Sequence, residues 1–288
     1  MKIASTKISD VIRYFRQELE GIYDRGEIDV FISYCFEAYV GFTKKDIFLK
    51  SADNISESQL LKFNSAIKQL KQERPIQYIL GKADFYKLQF IVNEQVLIPR
   101  PETEELVDLV IRDHKQQEKL RILDIGTGSG CIAIALKKNI PRADVHAWDV
   151  SADALKVARQ NASNNGTEVI FIQRDILEVI PENQEVKYDC IVSNPPYIAF
   201  SEKAQIHKNV LAHEPHLALF VPDEDPLIFY KKITEFAFKH LSPSGKLYFE
   251  INASYGLETR HILVGKGFKN VRLINDLNNK NRILRGEI

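Results

Sequence analysis

The sequence predicts an α/β protein whose larger part is built on a mainly parallel sheet. Three observations predict it: apolar residues at helical spacing near the N-terminus, a short alternating segment after residue 75, and strands that alternate with helices from residue 120. A length of 288 residues suits one large domain with a small one. We expect an N-terminal helical domain at 1–74, a β-hairpin linker at 75–100 and a larger domain at 101–288.

Composition argues against several classes of protein. The chain has 39 Lys and Arg residues against 39 Asp and Glu residues, so no net charge recruits nucleic acid or an anionic membrane. Its 3 cysteines include no CxxC pair and support neither a zinc site nor a disulfide framework. No apolar run reaches the ~18 residues of a membrane span. We therefore expect a cytoplasmic protein without a metal and without a membrane partner.

Residues 1–74 show the apolar spacing of several short helices. The first runs from Ile8, and its apolar side chains recur every three or four residues. A capping box formed by Ser56 and Gln59 begins a later helix, which ends at Pro75. Nothing in this part is typical of catalysis, so we expect a small bundle that caps the larger domain or docks a partner.

Residues 75–100 change to the period of a β-strand. Side chains alternate between apolar and polar over most of 86–92, and we expect Asn93 and Glu94 to form the turn of a hairpin. Two prolines then make the segment 98–104 extended and stiff.

From residue 120 onward, strands are expected to alternate with helices. The expected strands cover 120–125, 145–150, 169–173, 188–193, 246–251, 271–274 and 282–284. The expected helices cover 131–138, 151–164, 226–240 and 254–264. Such alternation indicates right-handed crossovers with helices on both faces of the sheet. Ligands of these sheets bind at the carboxyl ends of the strands, near the switch in strand order.

A glycine-rich loop follows the first of these strands and opens a helix. Glycine permits a tight turn and the close approach of a ligand, and the helix N-terminus supplies free amide donors. Asp149 ends the next strand, where it can accept from both ribose hydroxyls, and Asp175 follows the third, where it or its neighbour can meet an adenine ring. Asp124 precedes the loop and can order it or meet an ammonium group. The loop consists of Gly126, Thr127, Gly128, Ser129 and Gly130.

These features predict an adenosine ligand and leave two cofactors open, NAD(P) and S-adenosylmethionine. The GxGxG spacing of the loop differs from the GxGxxG of dinucleotide-binding folds. This difference favours S-adenosylmethionine modestly and weakens the case for hydride transfer.

A rigid turn follows the strand 188–193 and consists of Asn194, Pro195, Pro196 and Tyr197. Prolines lack an N–H donor, so the carbonyl oxygens of this turn are free to point into the cleft. The Asn194 carbonyl and a proline carbonyl can accept both hydrogens of a planar NH₂ group, and Tyr197 adds an aromatic face. Accepting both hydrogens raises the electron density on a delocalised nitrogen and aims its lone pair at a sulfonium methyl. The turn therefore predicts N-methylation of an amide or an aryl amine.

Several motifs together carry a resemblance to a known family. The most specific are RPIQYILG at 74–81 and IPRPETE at 98–104. With them, the chain resembles the HemK/PrmC family, protein-(glutamine-N5) methyltransferases that act on peptide-chain release factors. The resemblance spans most of the chain and also includes 124–130, 149–151, 194–197 and Glu214-Pro215.

The resemblance implies a class I S-adenosylmethionine-dependent methyltransferase fold, Rossmann-like, with a mainly parallel seven-stranded sheet. The implied reaction transfers a methyl group to N5 of the glutamine in the Gly-Gly-Gln loop of class 1 release factors and leaves S-adenosyl-L-homocysteine. The implied catalytic residues are Asn194, Pro195 and Tyr197. The implied cofactor-binding residues are Gly126, Thr127, Gly128, Ser129, Gly130, Asp149, Asp175, Ile176 and Asn194. The implied substrate-binding residues are Asn194, Pro195, Pro196 and Tyr197, while Thr103 is expected near the methionine end of the cofactor and the N-terminal helices near the release factor.

Two segments depart from the family pattern. Residues 221–227 read VPDEDPL where relatives usually have a glycine-rich stretch, and residues 250–252 read EIN where relatives tend to have EIG. Both lie outside the chemical motif and affect the expected cleft shape and partner detail.

Two other methyltransferase functions stay open. An adenine-N6 nucleic-acid methyltransferase would use the same turn, but it would need a target-recognition module and a basic surface. A glutamine methyltransferase of a ribosomal protein would differ only in its partner. A non-catalytic adenosine-binding module is disfavoured, because the turn is intact.

Overall fold

The computed structural model describes residues 5–178 and 186–288, and within them the chain divides into two compact units. The first unit holds the described residues up to Gly81 together with His207–His213, and the second holds the rest. The predicted boundary at residue 74 differs from this division because Ile76 is buried in the core of the helical unit. The segment His207–His213 lies within the predicted domain 101–288 but belongs to the first unit, where the His213 ring lies 3.2 Å from the Gln72 carbonyl oxygen.

The helices of the described residues are α1 (Ile8–Leu19), α2 (Arg25–Val40), α3 (Lys44–Leu49), α4 (Glu57–Leu70), α5 (Ile76–Leu80), α6 (Pro101–His114), α7 (Cys131–Asn139), α8 (Ala152–Asn164), α9 (Lys208–His213), α10 (Ile228–His240) and α11 (Gly256–Lys266). The strands are β1 (Lys82–Phe85), β2 (Leu88–Ile91), β3 (Arg121–Ile125), β4 (Asp144–Asp149), β5 (Ile170–Gln173), β6 (Tyr188–Ser193), β7 (Ile198–Ala199), β8 (Phe220–Val221), β9 (Leu241–Glu250), β10 (Lys269–Asn275) and β11 (Asn281–Glu287). No described helix combines the length and apolar character needed to cross a membrane.

The helical unit forms around the apolar stripes that its sequence predicts. Phe15 of α1, Phe36 of α2 and Phe63 of α4 are fully buried in one core. The capping box predicted before α4 is confirmed. The Ser56 hydroxyl accepts from the backbone N–H of Gln59, and the Gln59 side-chain oxygen accepts from the backbone N–H of Ser56. The two bonds satisfy donors that the helix start leaves without partners.

The predicted hairpin is present, but its turn lies elsewhere. β1 and β2 pair antiparallel around Tyr86 and Lys87, which have φ of 48° and 62°. This left-handed geometry is typical of a two-residue hairpin loop but rare for bulky side chains. The Tyr86 amide donates to the Glu104 carboxylate over 2.8 Å, which helps to hold the turn. The prediction that Asn93 and Glu94 form the hairpin turn was therefore wrong.

The second unit is built on a seven-stranded sheet in the order β10-β11-β9-β6-β3-β4-β5. Its strands are parallel except β11, which pairs antiparallel with both β9 and β10. The predicted mainly parallel sheet is confirmed. The strand predicted at 246–251 begins earlier, because Leu241 pairs with Tyr188 of β6 before a register shift.

Apolar side chains cover both faces of this sheet. Alternate residues of β3 join different buried clusters: Ile122 packs in one, and Leu123 and Ile125 in the other. Successive side chains of a strand point to opposite faces, so a fully covered strand is apolar on both. The strands β4 and β5 lie on one side of β3, and β6 lies on the other side. The order of the strands therefore switches at β3, and a crevice opens there at the carboxyl ends of the strands.

Candidate active site

A cavity of about 370 Å³ lies at the carboxyl ends of β3, β4, β5 and β6. This is the edge where the sequence predicts a ligand. The predicted residues that line it are Gly126, Gly128, Asp149, Asp175, Ile176, Asn194, Pro195 and Pro196. A hollow of about 430 Å³ beside β5 and α8 is larger but is lined by none of the predicted site residues, so the first cavity is the candidate active site.

The glycine loop is shaped by its own backbone. The amides of Gly126 and Thr127 both donate over 2.9 Å to the carbonyl of Trp148 in β4, which fixes the loop against the neighbouring strand. Gly126 and Gly128 have φ of 76° and 54°, and a Cβ on either would meet no atom within 4 Å. These two glycines therefore supply a left-handed turn and leave open space beside the cavity.

The third glycine has a different task. At Gly130, φ is 83° and a Cβ would lie 2.9 Å from Cδ1 of Ile134 and 3.1 Å from Cβ of Ala158. Its absence lets the start of α7 pack closely against α8. Gly130 thus serves the fit between helices and does not line the cavity.

Two loop side chains are buried beneath the cavity. The Thr127 hydroxyl donates over 2.6 Å to the carboxylate of Asp124, which is fully buried in β3. Burial raises the pKa of Asp124 to about 7, and the Thr127 bond opposes this. Ser129 is 2% exposed. The bond between Thr127 and Asp124 holds the loop against β3. Ordering of the loop was one of the two roles expected of Asp124.

Asp149 ends β4 and faces the cavity. Its two carboxylate oxygens accept from the Gly128 amide over 2.8 Å and from the Ser151 amide over 2.9 Å. Burial raises the pKa of Asp149, while these amide donors oppose the rise. The carboxylate is thus held at a fixed place beside the loop.

Asp175 and Ile176 follow β5 and line the same cavity. The Asp175 carboxylate accepts from the Leu177 amide over 2.8 Å, which stabilises the turn after the strand. Ile176 is 8% exposed and adds an apolar wall.

The rigid turn also contributes to the lining of the cavity. Ser193 ends β6, and its buried hydroxyl donates over 2.7 Å to the Ile125 carbonyl at the end of β3. This bond ties the start of the turn to the start of the glycine loop. Asn194, Pro195 and Pro196 then line the cavity.

A chain of side-chain hydrogen bonds lies behind the turn. The Asn194 Nδ2 group donates to Oγ1 of Thr103 over 3.4 Å, and the Thr103 hydroxyl donates to Oε2 of Glu250 over 2.6 Å. The Tyr197 hydroxyl donates to Oε1 of Glu250 over 3.4 Å. Burial raises the pKa of Glu250, and the Thr103 hydrogen bond and the Arg282 charge oppose this. Glu250 was not among the predicted site residues; its signals in the sequence are an acid at the end of an apolar strand and its place in the segment 250–252, which was set outside the chemical motif.

Tyr197 ends the turn and contacts Glu250. The sequence predicts an aromatic face against the substrate, but Tyr197 lies outside the lining of the cavity and points its hydroxyl to Glu250. Its backbone carbonyl accepts from the Asn252 side chain over 3.2 Å. These contacts anchor the end of the turn to the residues after β9.

An ion pair between half-buried Arg100 and buried Glu214 fixes the segment before α6. The Glu214 carboxylate accepts from Arg100 over 2.5 Å and from the Ile98 amide over 3.3 Å. It thereby holds the residues that lead into α6. The extended segment predicted over 98–104 is helical from Pro101 onward, so that part of the prediction was wrong, and Thr103 lies in the first turn of α6. Across residues 5–178 and 186–288, no group of three or more His, Cys, Asp or Glu side chains is placed to hold a metal ion.

Two family models match parts of this chain. The chain matches the "Methyltransferase small domain" model over residues 105–217 and the "PrmC N-terminal domain" model over residues 10–81. A release factor glutamine methyltransferase of Flavobacterium psychrophilum is 48% identical over 274 residues, which are 94% of this chain and 95% of the relative. One of Bacteroides thetaiotaomicron is 43% identical and covers 95% of this chain and 98% of its own.

A solved structure shows the same fold at low identity. The crystal structure of a methyltransferase from Pyrococcus furiosus has a TM-score of 0.52 and 19% identity, covering 78% of this chain and 96% of that chain. The predicted class I methyltransferase fold and the family resemblance are both confirmed. The chain belongs to the family of release factor glutamine methyltransferases.

Proposed function

We propose that the protein transfers a methyl group from S-adenosylmethionine to the side-chain nitrogen N5 of the glutamine in the Gly-Gly-Gln loop of class 1 peptide-chain release factors. One observation carries the proposal: a rigid turn of carbonyl acceptors and a glycine loop line the same cavity. The names of the relatives that span nearly the whole chain support the substrate. A role in translation termination would place the enzyme in the cytoplasm.

The residues of the glycine-loop side fit the cofactor. Gly126 and Gly128 leave open space where a ligand can approach their backbone, and Asp149 offers fixed carboxylate oxygens to a ribose diol. Ile176 supplies an apolar surface for an adenine ring, with Asp175 beside it. When bound, S-adenosylmethionine supplies an electrophilic methyl group.

The residues of the turn fit the carboxamide. An amide nitrogen is a poor nucleophile because its lone pair is delocalised. Oδ1 of Asn194 and the carbonyl oxygen of Pro195 accept its two hydrogens, while Pro196 stiffens the turn. Positioning then brings the nitrogen to about 3–3.5 Å from the methyl carbon. With S-adenosylmethionine bound, the nitrogen–carbon bond would form as the sulfur–carbon bond breaks, and the nitrogen would then lose a proton to solvent.

The helical unit is assigned to docking of the release factor. It contains none of the residues that line the cavity. Phe48 and Leu49 of α3 and Leu61 of α4 expose 79%, 66% and 65% of their surface. Phe48 and Leu49 are adjacent in α3, and an exposed apolar patch that includes them would be a surface for a protein partner.

The test is mass spectrometry of a release factor incubated with the enzyme and S-adenosylmethionine. A ribosomal protein and duplex DNA serve as competing substrates, and the Asn194→Ala variant serves as the control. The expected result is one added methyl group on the glutamine of the Gly-Gly-Gln peptide in the wild-type reaction, and far less of this product in the Asn194→Ala reaction over the same time. Methylation of adenine in the DNA, or of the ribosomal protein with none on the release factor, would overturn the proposal.

A further inference from the structure

The orientation of one amide decides whether the turn can bind a carboxamide. An asparagine side chain carries an acceptor oxygen on one side and a donor NH₂ group on the other. If the Asn194 NH₂ group faced the cavity, it would oppose the substrate NH₂ group, donor against donor. The proposed reaction therefore requires that Oδ1 faces the cavity and Nδ2 faces away.

Thr103 provides the partner that selects this orientation. A threonine hydroxyl has one proton and can accept through its lone pairs. Its proton is directed to Oε2 of Glu250, 2.6 Å away, so only the lone pairs of Oγ1 are left for Asn194 at 3.4 Å. Those lone pairs attract Nδ2 and repel Oδ1.

Glu250 determines the direction of the Thr103 hydroxyl. Its side chain is 2% exposed at the end of β9, and its two oxygens accept from Thr103 and Tyr197. A carboxylate has only acceptor sites, so both hydroxyls must donate to it. Tyr230 adds a hydrogen bond from its hydroxyl to the Glu250 backbone carbonyl over 3.3 Å.

We propose that Glu250 and Thr103 are positioning residues that hold the Asn194 amide with Oδ1 toward the substrate carboxamide. The inference rests on the proposed function, since it assigns a task within that site. The alternative is a structural task, in which Thr103 only fastens the start of α6 to the end of β9. The two tasks differ in one respect: only the first acts through the side chain of Asn194.

The test is a double-mutant cycle between Thr103→Val and Asn194→Ala, measured as single-turnover methylation of the release factor. Thr103→Val keeps the shape of the side chain and removes its hydroxyl. We expect a fall in rate of about 10–100-fold in the wild-type background, because the amide loses its oriented partner. In the Asn194→Ala background we expect no further fall, because the group being oriented is gone.

Rescue and binding measurements complete the test. Thr103→Ser retains the hydroxyl and should restore the rate to within about threefold of the wild-type rate. The KM for the release factor and the Kd for S-adenosylmethionine, measured by calorimetry, should change by less than the rate. Glu250→Gln replaces one acceptor by a donor, so its effect should likewise vanish in the Asn194→Ala background.

Thr259→Val is the matched control. Thr259 is 0% exposed, lies in the first turn of α11 and donates over 2.7 Å to the Tyr255 carbonyl, so it resembles Thr103 in burial, position and hydrogen bonding. It does not line the cavity, and its loss should lower the melting temperature without changing the rate. Equal losses from Thr103→Val in both backgrounds would overturn the inference while methylation by the wild-type enzyme upheld the proposed function. Absence of wild-type methylation would overturn both.

Discussion

The two sides of the candidate active site are built in different ways. On the glycine-loop side, backbone hydrogen bonds fix the loop: the amides of Gly126 and Thr127 donate to the carbonyl of Trp148. On the turn side, the geometry depends on side chains, and Thr103 and Glu250 are joined across 147 residues. The first construction depends on the backbone of the loop and of the adjacent strand β4, whereas the second depends on side chains of α6, β9 and the turn after β6.

This difference predicts how each side responds to substitution. A backbone-built loop tolerates side-chain changes as long as its dihedral angles persist. A side-chain network loses its function when one donor or acceptor is removed, because buried polar groups without partners are costly. Substitutions on the turn side should therefore change the rate, and those on the loop side should change cofactor affinity or stability.

The largest effect is expected at Asn194. Asn194→Ala removes the side-chain acceptor for the substrate NH₂ group, and we expect kcat to fall by about 10³-fold, as for loss of one positioned hydrogen-bonding group in other enzymes. Cofactor affinity should change little, because the loop side is untouched. Single-turnover rates together with calorimetry measure both; a near-normal rate would contradict the assigned role of the amide.

A smaller effect is expected at Asp149, and on binding instead of rate. Asp149→Ala removes the acceptor for a ribose diol and also the partner of the Gly128 amide. We expect the Kd for S-adenosylmethionine to rise by about 10–100-fold, with less change in kcat at saturating cofactor. Asp149→Asn is the matched variant, since it keeps one acceptor oxygen. Unchanged cofactor affinity of Asp149→Ala would contradict the ribose assignment.

Gly130 tests whether the loop depends on close helix packing. In Gly130→Ala the new Cβ would lie 2.9 Å from Ile134 Cδ1, at a φ of 83° that disfavours alanine. We expect a loss of about 1–3 kcal/mol in the free energy of unfolding. Gly126→Ala shares the positive φ but has open space, so it should lose less. Denaturant unfolding of both variants makes the comparison, and equal losses would show that backbone strain alone matters.

The parts of the site that a short segment builds were predictable from the sequence. The glycine loop and the turn at Asn194 each follow a strand whose apolar pattern is clear, and the carboxyl ends of parallel strands meet at one edge. The order of the acids after β4 and β5 placed Asp149 and Asp175 at the same cavity.

The rest depends on contacts that local patterns do not encode. The turn at Tyr86 and Lys87 lacks the Asn and Gly residues typical of a two-residue hairpin loop. The alternation of apolar and polar side chains continues through this turn, so the sequence does not mark it. The assignment of His207–His213 to the helical unit depends on tertiary contacts. Glu250 ends an apolar strand like many surface acids, and only the folded sheet brings it to Thr103 and Tyr197.

The smallest effect is expected at Tyr197, whose packing on the substrate stays a prediction. Tyr197→Phe keeps the aromatic ring and removes a hydroxyl whose bond to Glu250 spans 3.4 Å. Since Glu250 keeps the shorter bond from Thr103, we expect kcat to fall by only about 2–10-fold. If the ring packs on the substrate, Tyr197→Phe should leave kcat and KM unchanged, and Tyr197→Leu should mainly raise KM. If the hydroxyl supports Glu250, both variants should lower kcat to a similar extent, and steady-state kinetics of the pair distinguishes the two roles.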